Sequence, residues 1–248
     1  MQKLLSYTRR AIDDYAMIQD GEKIAVGVSG GKDSLALLVA MAALKRFYPK
    51  KFDLIAITLD LGFDNMDYSG IKKLCDEINV EYHVIKTQIK DVVFDIRKEE
   101  NPCSLCAKMR RGALNNAALE LGCKKVALGH HNEDVNETFL LSLFYESRIS
   151  CFAPVTYLDR KGVYLIRPFI YTPESYIKSF AIRENLPVVK NSCPADGNTK
   201  RQEIKDLTKK LNKTYPGLSE RIFGAIKRSE IPGWDGAKIL CSKEKENE

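Results

Sequence analysis

The sequence predicts an α/β fold in which a parallel sheet is wrapped by helices on both faces. Two observations carry this. Short β-branched runs alternate with longer segments whose apolar residues recur at helical spacing, and the first run ends in a glycine-rich turn that leads straight into a helix. A strand–helix–strand succession of this kind implies parallel pairing through crossover helices.

Taken in order, residues 24–28 form the first strand and 34–47 the helix after it. Residues 52–59, 68–78 and 81–85 read as strand, helix and strand. Residues 106–121 are a helix that Gly122 closes as a C-cap, 125–128 a fourth strand, and 133–145 another helix. Past residue 145 the pattern changes. Residues 155–158 and 163–166 flank the turn-rich Asp159-Arg160-Lys161-Gly162 and predict a hairpin. Pro168 and Pro173 bracket a loop, 174–184 is a helix, and the stretch after Asn191 is loop followed by two basic helices. The chain reads as a single domain, residues 1–248. Within it lie a helical C-terminal extension over about 168–241 and a frayed tail at 242–248, where lysine and glutamate alternate.

Composition narrows the class. A chain of 248 residues is long enough for one α/β domain with a sizeable core, and 44% hydrophobic with 29% charged residues is ordinary for a globular protein. No apolar run approaches the roughly 20 residues that span a bilayer, and no apolar stretch follows the basic N-terminus as in a secretory signal. A cytoplasmic protein without membrane contact is expected. The net charge of +6 permits a polyanionic partner. Basic residues gather at Lys108, Arg110 and Arg111, at Lys200, Arg201 and Lys205, and at Lys209, Lys210 and Lys213.

In an open parallel sheet, ligands bind at the carboxyl ends of the strands. After the first strand the chain reads Ser29-Gly30-Gly31-Lys32-Asp33-Ser34. Paired glycines let backbone amides face an anion, and the next helix adds its positive end. Lys32 adds a cation and Ser29 and Ser34 add hydroxyls. Asp33 would repel phosphate unless Mg²⁺ lies between them. The kinase-type loop is excluded, because Asp33 stands where that motif needs serine or threonine directly after lysine. Asp60, at the end of the second strand, is a candidate for the nucleotide or its metal, with a structural strand-end role as the alternative.

Seven cysteines with no export signal argue against a disulfide framework. Cys103-Ser-Leu-Cys106 opens a helix, where two thiolates can share a metal or cluster; a redox pair and half a zinc site are the alternatives. No second C-x-x-C completes a zinc site. Cys193, in a polar loop, is the best third ligand, and three thiolates suit a four-iron cluster with one iron left open. Cys75 and Cys123 read as core residues; Cys151 and Cys241 have no assigned role. After the fourth strand comes Gly129-His130-His131-Asn132-Glu133-Asp134, on the same sheet edge as the phosphate loop. Asp134 and Glu137 share a helix face. Helix capping is the competing explanation for these acids.

Ser-Gly-Gly-Lys-Asp-Ser between strand and helix resembles the PP-loop, or N-type, ATP pyrophosphatases. Cys-Ser-Leu-Cys followed by Arg110-Arg111-Gly112, Leu128-Gly-His-His with Glu137-Thr138, Phe144-Tyr145, Ile166-Arg167-Pro168, and Cys193 before Arg201-Gln202 are similar to the tRNA 2-thiocytidine synthetase group within them. The likeness runs from about Asp20 to Leu211. It implies a Rossmann-like fold of the adenine nucleotide alpha hydrolase kind. It also implies ATP cleavage between the α- and β-phosphates, Mg²⁺ on Asp33, and a 4Fe–4S cluster on Cys103, Cys106 and Cys193. The implied partners are tRNA and a sulfur donor, either a cysteine desulfurase or free sulfide. On this reading Asp33 and Asp134 are catalytic, while Ser29 to Ser34, Asp60 and His130 hold the nucleotide; Arg110, one turn beyond Cys106, is the catalytic candidate for the adenylate or a tRNA phosphate, with an ordinary surface arginine as the alternative. The chain departs from the group at Lys190, where the pattern often has the first cysteine of Cys-x-x-Cys. Other PP-loop tRNA modifiers (2-thiouridine or lysidine synthetases) and a non-catalytic ATP and iron–sulfur sensor remain the rival readings. Oligomeric state is open, a homodimer included.

Overall fold

The computed structural model describes residues 1–97, 102–189, 193 and 200–235. Cys241, Lys190 and the tail at 242–248 lie outside them. The first strand, β1 (Glu22–Gly27), is flanked by β2 (Phe52–Asp60) and β4 (Lys125–Ala127), both parallel to it. Beyond β2 lies β3 (Glu81–Lys86), and beyond β4 lie β6 (Val163–Ile166) and β5 (Val155–Leu158), giving the order β3-β2-β1-β4-β6-β5. The expected hairpin forms, with Gly162 left-handed in its turn. β5 is therefore an antiparallel edge on an otherwise parallel sheet.

Alternation along β1 explains the two covered faces. Ile24 and Val26 point into one core, with α1 (Gln2–Asp14), α2 (Lys32–Lys45) and α6 (Glu174–Arg183). Ala25 points into the other, against Ala117 and Ala118 of α4 (Pro102–Glu120). Cys75 and Cys123 are core residues, as the sequence predicts; burial pushes the Cys75 thiol up to about 11.

Two elements lie outside the pattern expected from the sequence. α1 buries Leu4, Thr8, Ala11 and Ile12, one face of a helix at i, i+4, i+7 and i+8. A π-helical turn at Asp91–Ile96 precedes α4. α4 starts at Pro102 rather than at 106, so Cys103 already sits in its first turn. Proline fits there because its missing N–H would have no intrahelical partner. The remaining helices are α3 (Ser69–Glu77), α5 (Asn132–Glu146), α7 (Lys200–Thr214) and α8 (Leu218–Arg228). α7 and α8 pack on α5. They stand beside the strand ends where ligands bind.

Candidate active site

The turn between β1 and α2 is held open by its own hydroxyls. Ser34 Oγ donates to the Gly31 carbonyl at 2.9 Å and accepts the Ser29 N–H at 3.1 Å. Ser34 thus shapes the loop, and its hydroxyl is already committed. Gly30 sits at φ +84°, a conformation that disfavours any side chain. Gly31 is the N-cap of α2 and supplies no side-chain acceptor, which leaves the first amides of the helix for an anion.

The turn after β4 passes directly over this loop. A Cβ on Gly129 would stand 3.0 Å from the Asp33 carbonyl carbon and the Ser34 nitrogen, so only glycine permits the approach. It brings His131 to Asp33, with Nε2 3.9 Å from Oδ1. His131 is buried, and Nδ1 meets Glu133 Oε2 at 3.2 Å. Burial alone would lower its pKa, but Glu133, Asp134 and Asp33 prevail and hold the imidazolium above its ordinary value.

His130, which the sequence offers for the nucleotide, packs against Phe152. Its ring lies 5.0 Å from that of Phe152, and burial, with the nearby Arg167 charge, pushes it down to about 4. Successive residues of an extended turn point opposite ways, so one of two adjacent histidines faces the loop and the other packs.

Asp33 Oδ2 meets Lys32 Nζ at 3.0 Å, while Oδ1 is buried without a hydrogen-bond partner. An orphaned anionic oxygen beside a phosphate cradle fits a divalent cation. Asp60, by contrast, spends Oδ1 on the Gly62 N–H at 3.1 Å, a turn-forming contact at the end of β2.

Asp134 joins two elements. Its Oδ2 accepts the His131 N–H at 2.9 Å, capping α5, and Oδ1 receives Arg201 of α7 at 3.2 Å. Arg201 also donates to Thr138 Oγ1 at 3.1 Å and lies 3.9 Å from Glu137. Glu137 is 4% exposed. Burial and the neighbouring Asp134 carboxylate raise its carboxyl to about 7, against the pull of Arg201 and Lys205.

The sequence marks Glu174 only as part of a helix. Its Oε1 lies 3.0 Å from Lys32 Nζ, and Lys205 Nζ reaches Oε2 at 2.9 Å. Although burial opposes ionisation, the two lysines hold this carboxyl down to about 2. Nothing local marks it: an acid in the first turn of a helix is common. Glu137, Glu174, Lys178, Lys205, Lys209 and Asn136 are among the residues lining a cavity of about 430 Å³ between α5, α6, α7 and α8.

A helix linking two parallel strands starts at their carboxyl edge, so α4 brings Cys103 and Cys106 to the edge of the phosphate loop. Burial raises the Cys106 thiol; Arg110, charged and hydrogen-bonded to it, opposes that rise, whereas Cys193 and Cys103 add to it. The three cysteines and Arg110 therefore share one electrostatic neighbourhood, although Cys193 is distant in sequence. Three thiols with a cation beside them suit a thiolate-bound cluster. As they stand, no three His, Cys, Asp or Glu side chains among the described residues are close enough to enclose a single metal ion.

The pattern of the PP-loop domain matches residues 4–211. This chain belongs to the PP-loop family, in the group of the tRNA 2-thiocytidine synthetases. It is 36% identical over 229 residues to the tRNA-cytidine(32) 2-sulfurtransferase of Teredinibacter turnerae, covering 92% of this chain and 76% of that protein. The enzyme of that name from Geobacter sulfurreducens is 36% identical over 228 residues, covering 91% and 89%. Among solved structures, the U34-tRNA thiolase NcsA from Methanococcus maripaludis with its 4Fe–4S cluster superposes with a TM-score of 0.76 at 26% identity, covering 99% of this chain and 87% of that one. The PP-loop domain is thus matched both by sequence and by fold.

Proposed function

We propose that this protein is an ATP-dependent tRNA sulfurtransferase that replaces the 2-oxygen of cytidine with sulfur, at position 32 as in the relatives' name. The observation that carries the reading is the convergence, at one sheet edge, of the phosphate loop, the His131–Asp134 turn and the Cys103, Cys106 and Cys193 neighbourhood.

The reaction is adenylation followed by substitution. The base oxygen attacks the α-phosphorus of ATP, the bond to the β-phosphate breaks, and pyrophosphate leaves. Lys32 and the open amides of α2 stabilise the growing charge on the phosphates. Asp33 Oδ1 supplies a ligand for Mg²⁺, which neutralises the phosphates when bound. Sulfide then attacks the ring carbon, AMP departs, and the sulfur loses its proton to form the thiocarbonyl. A 4Fe–4S cluster on Cys103, Cys106 and Cys193 would supply that sulfur on an open iron. Arg110, touching Cys106, places a fixed positive charge where the sulfur and the departing AMP meet. Asp134 keeps His131 and Arg201 in register, and Glu137 offers a carboxylate able to accept a proton near neutral pH.

The substrate is a tRNA taken up in the cytoplasm, with sulfide as the sulfur source, either free or released from a cysteine desulfurase's persulfide by a thiol reductant. Among the described residues no helix is long and apolar enough to cross a membrane. Mass spectrometry of tRNA nucleosides from cells lacking the protein is expected to show loss of 2-thiocytidine with 2-thiouridine unchanged. Loss of 2-thiouridine or lysidine instead would move the protein to a rival group. Coupled release of ADP and phosphate, in place of AMP and pyrophosphate, would refute the chemistry.

A further inference from the structure

Residues 143–150 are all exposed, and four of them are large and apolar. Leu143 is 41% exposed, Phe144 53%, Tyr145 51% and Ile149 72%. Side chains of roughly 150–200 Å² each, exposed to those extents, leave about 400 Å² of apolar surface within one eight-residue segment. That is the size at which a patch on a monomer is usually functional.

The patch is tied to the site at both ends. It closes α5, whose first turn carries Asp134, about 16 Å away along the helix axis at 1.5 Å per residue. The chain leaving it returns to the site edge, where Phe152 packs on His130. Charges of both signs lie in the segment, Glu146 and Arg148 being exposed, and a lysine covers one of its rings. Lys200 Nζ lies 5.3 Å from the centre of the Tyr145 ring. The nearest acid on α7, Glu203, is occupied by the Tyr145 hydroxyl at 2.9 Å and by Lys200 at 3.3 Å.

Exposed rings, one of them under a lysine, suit π-faced, negatively charged partners: bases stack on the rings while phosphates meet the cations. A second copy of this chain fits less well. A standard protein interface covers about 800 Å² on each partner, about twice this patch. We propose that residues 143–149 form a stacking surface for unpaired RNA bases, seating those that flank the modified nucleotide. The inference rests on the reading of the substrate as tRNA. It gives the extruded cytidine fixed neighbours, so that the target base alone enters the site.

The test uses the full chain and an unmodified tRNA with 2-aminopurine next to the target cytidine. Tyr145 is left intact because its hydroxyl anchors α7. Phe144→Ala with Ile149→Ala is expected to weaken tRNA binding roughly tenfold or more. It should abolish quenching of the fluorophore and leave ATP affinity, melting temperature and the salt dependence of binding unchanged. Phe144→Trp, which keeps a ring, should retain affinity and quenching. Unchanged affinity and quenching in the double variant would overturn the proposal. Unchanged affinity with a shift from dimer to monomer in sedimentation would overturn it in favour of a contact between copies. Wild-type protein that binds no tRNA would sink the substrate reading itself, a failure distinct from either.

Discussion

Glu174 holds the lysine of the phosphate loop, its Oε1 standing 3.0 Å from Lys32 Nζ, and shares itself with Lys205 of α7 at 2.9 Å. One carboxylate thus joins the nucleotide loop to a basic C-terminal helix. Lys32 must turn from Glu174 towards the phosphates when ATP binds, so Glu174 competes with the nucleotide for the same ammonium. Glu174→Gln removes the competing charge and keeps the shape. Nucleotide affinity, measured by calorimetry, is expected to rise several-fold, while α7 loses its latch and the protein loses on the order of 1 kcal/mol of stability. Weaker nucleotide binding would show instead that Glu174 orients Lys32 productively.

The cysteine neighbourhood predicts metal content. Protein purified without oxygen should be brown and carry four irons per chain on a 4Fe–4S cluster. Cys103→Ala, Cys106→Ala and Cys193→Ala should each lose iron, and Cys241→Ala should not. Stoichiometric zinc in the anaerobic protein would contradict this.

Glu137 predicts a pH dependence of stability. Its carboxyl is raised from 4.5 to about 7, chiefly by burial. A raised pKa favours the folded state below the unfolded value, and that contribution is lost as pH climbs through the folded one. Between about pH 4.5 and 7 wild-type stability should therefore fall by about 3 kcal/mol on this account. Glu137→Gln should flatten that window in denaturant titrations and be the more stable protein at pH 8. Glu174 does not confuse the reading, because a depressed carboxyl loses its contribution only as pH falls from 4.5 towards 2. Equal slopes in variant and wild type would show that Glu137 is ionised throughout.

Lys209, Lys210 and Lys213 are exposed on α7, unlike Lys205, which Glu174 engages. If they meet tRNA phosphates, neutralising all three should weaken binding and flatten its salt dependence, with ATP affinity intact. Identical salt curves would remove α7 from the RNA surface.

Local signals in the sequence determined the strand and helix order, the phosphate loop, the hairpin and the core positions of Cys75 and Cys123. Each depends on periodicity or turn chemistry over a few residues, which survives into the fold because neighbouring segments do not override it. α1 carries the same kind of signal, at residues 4, 8, 11 and 12. The partners of the site were decided by tertiary structure. Which of His130 and His131 faces Asp33 depends on how the turn after β4 crosses the loop at Gly129. Glu174 reaches Lys32 only because α6 packs on α2, and Lys205 joins them only because α7 folds back beside α5. Cys193 comes into the electrostatic neighbourhood of Cys106 across 86 residues of intervening chain. Spacing along a chain reports which face of an element a residue takes, but the meeting of faces is set by packing, which no local pattern encodes.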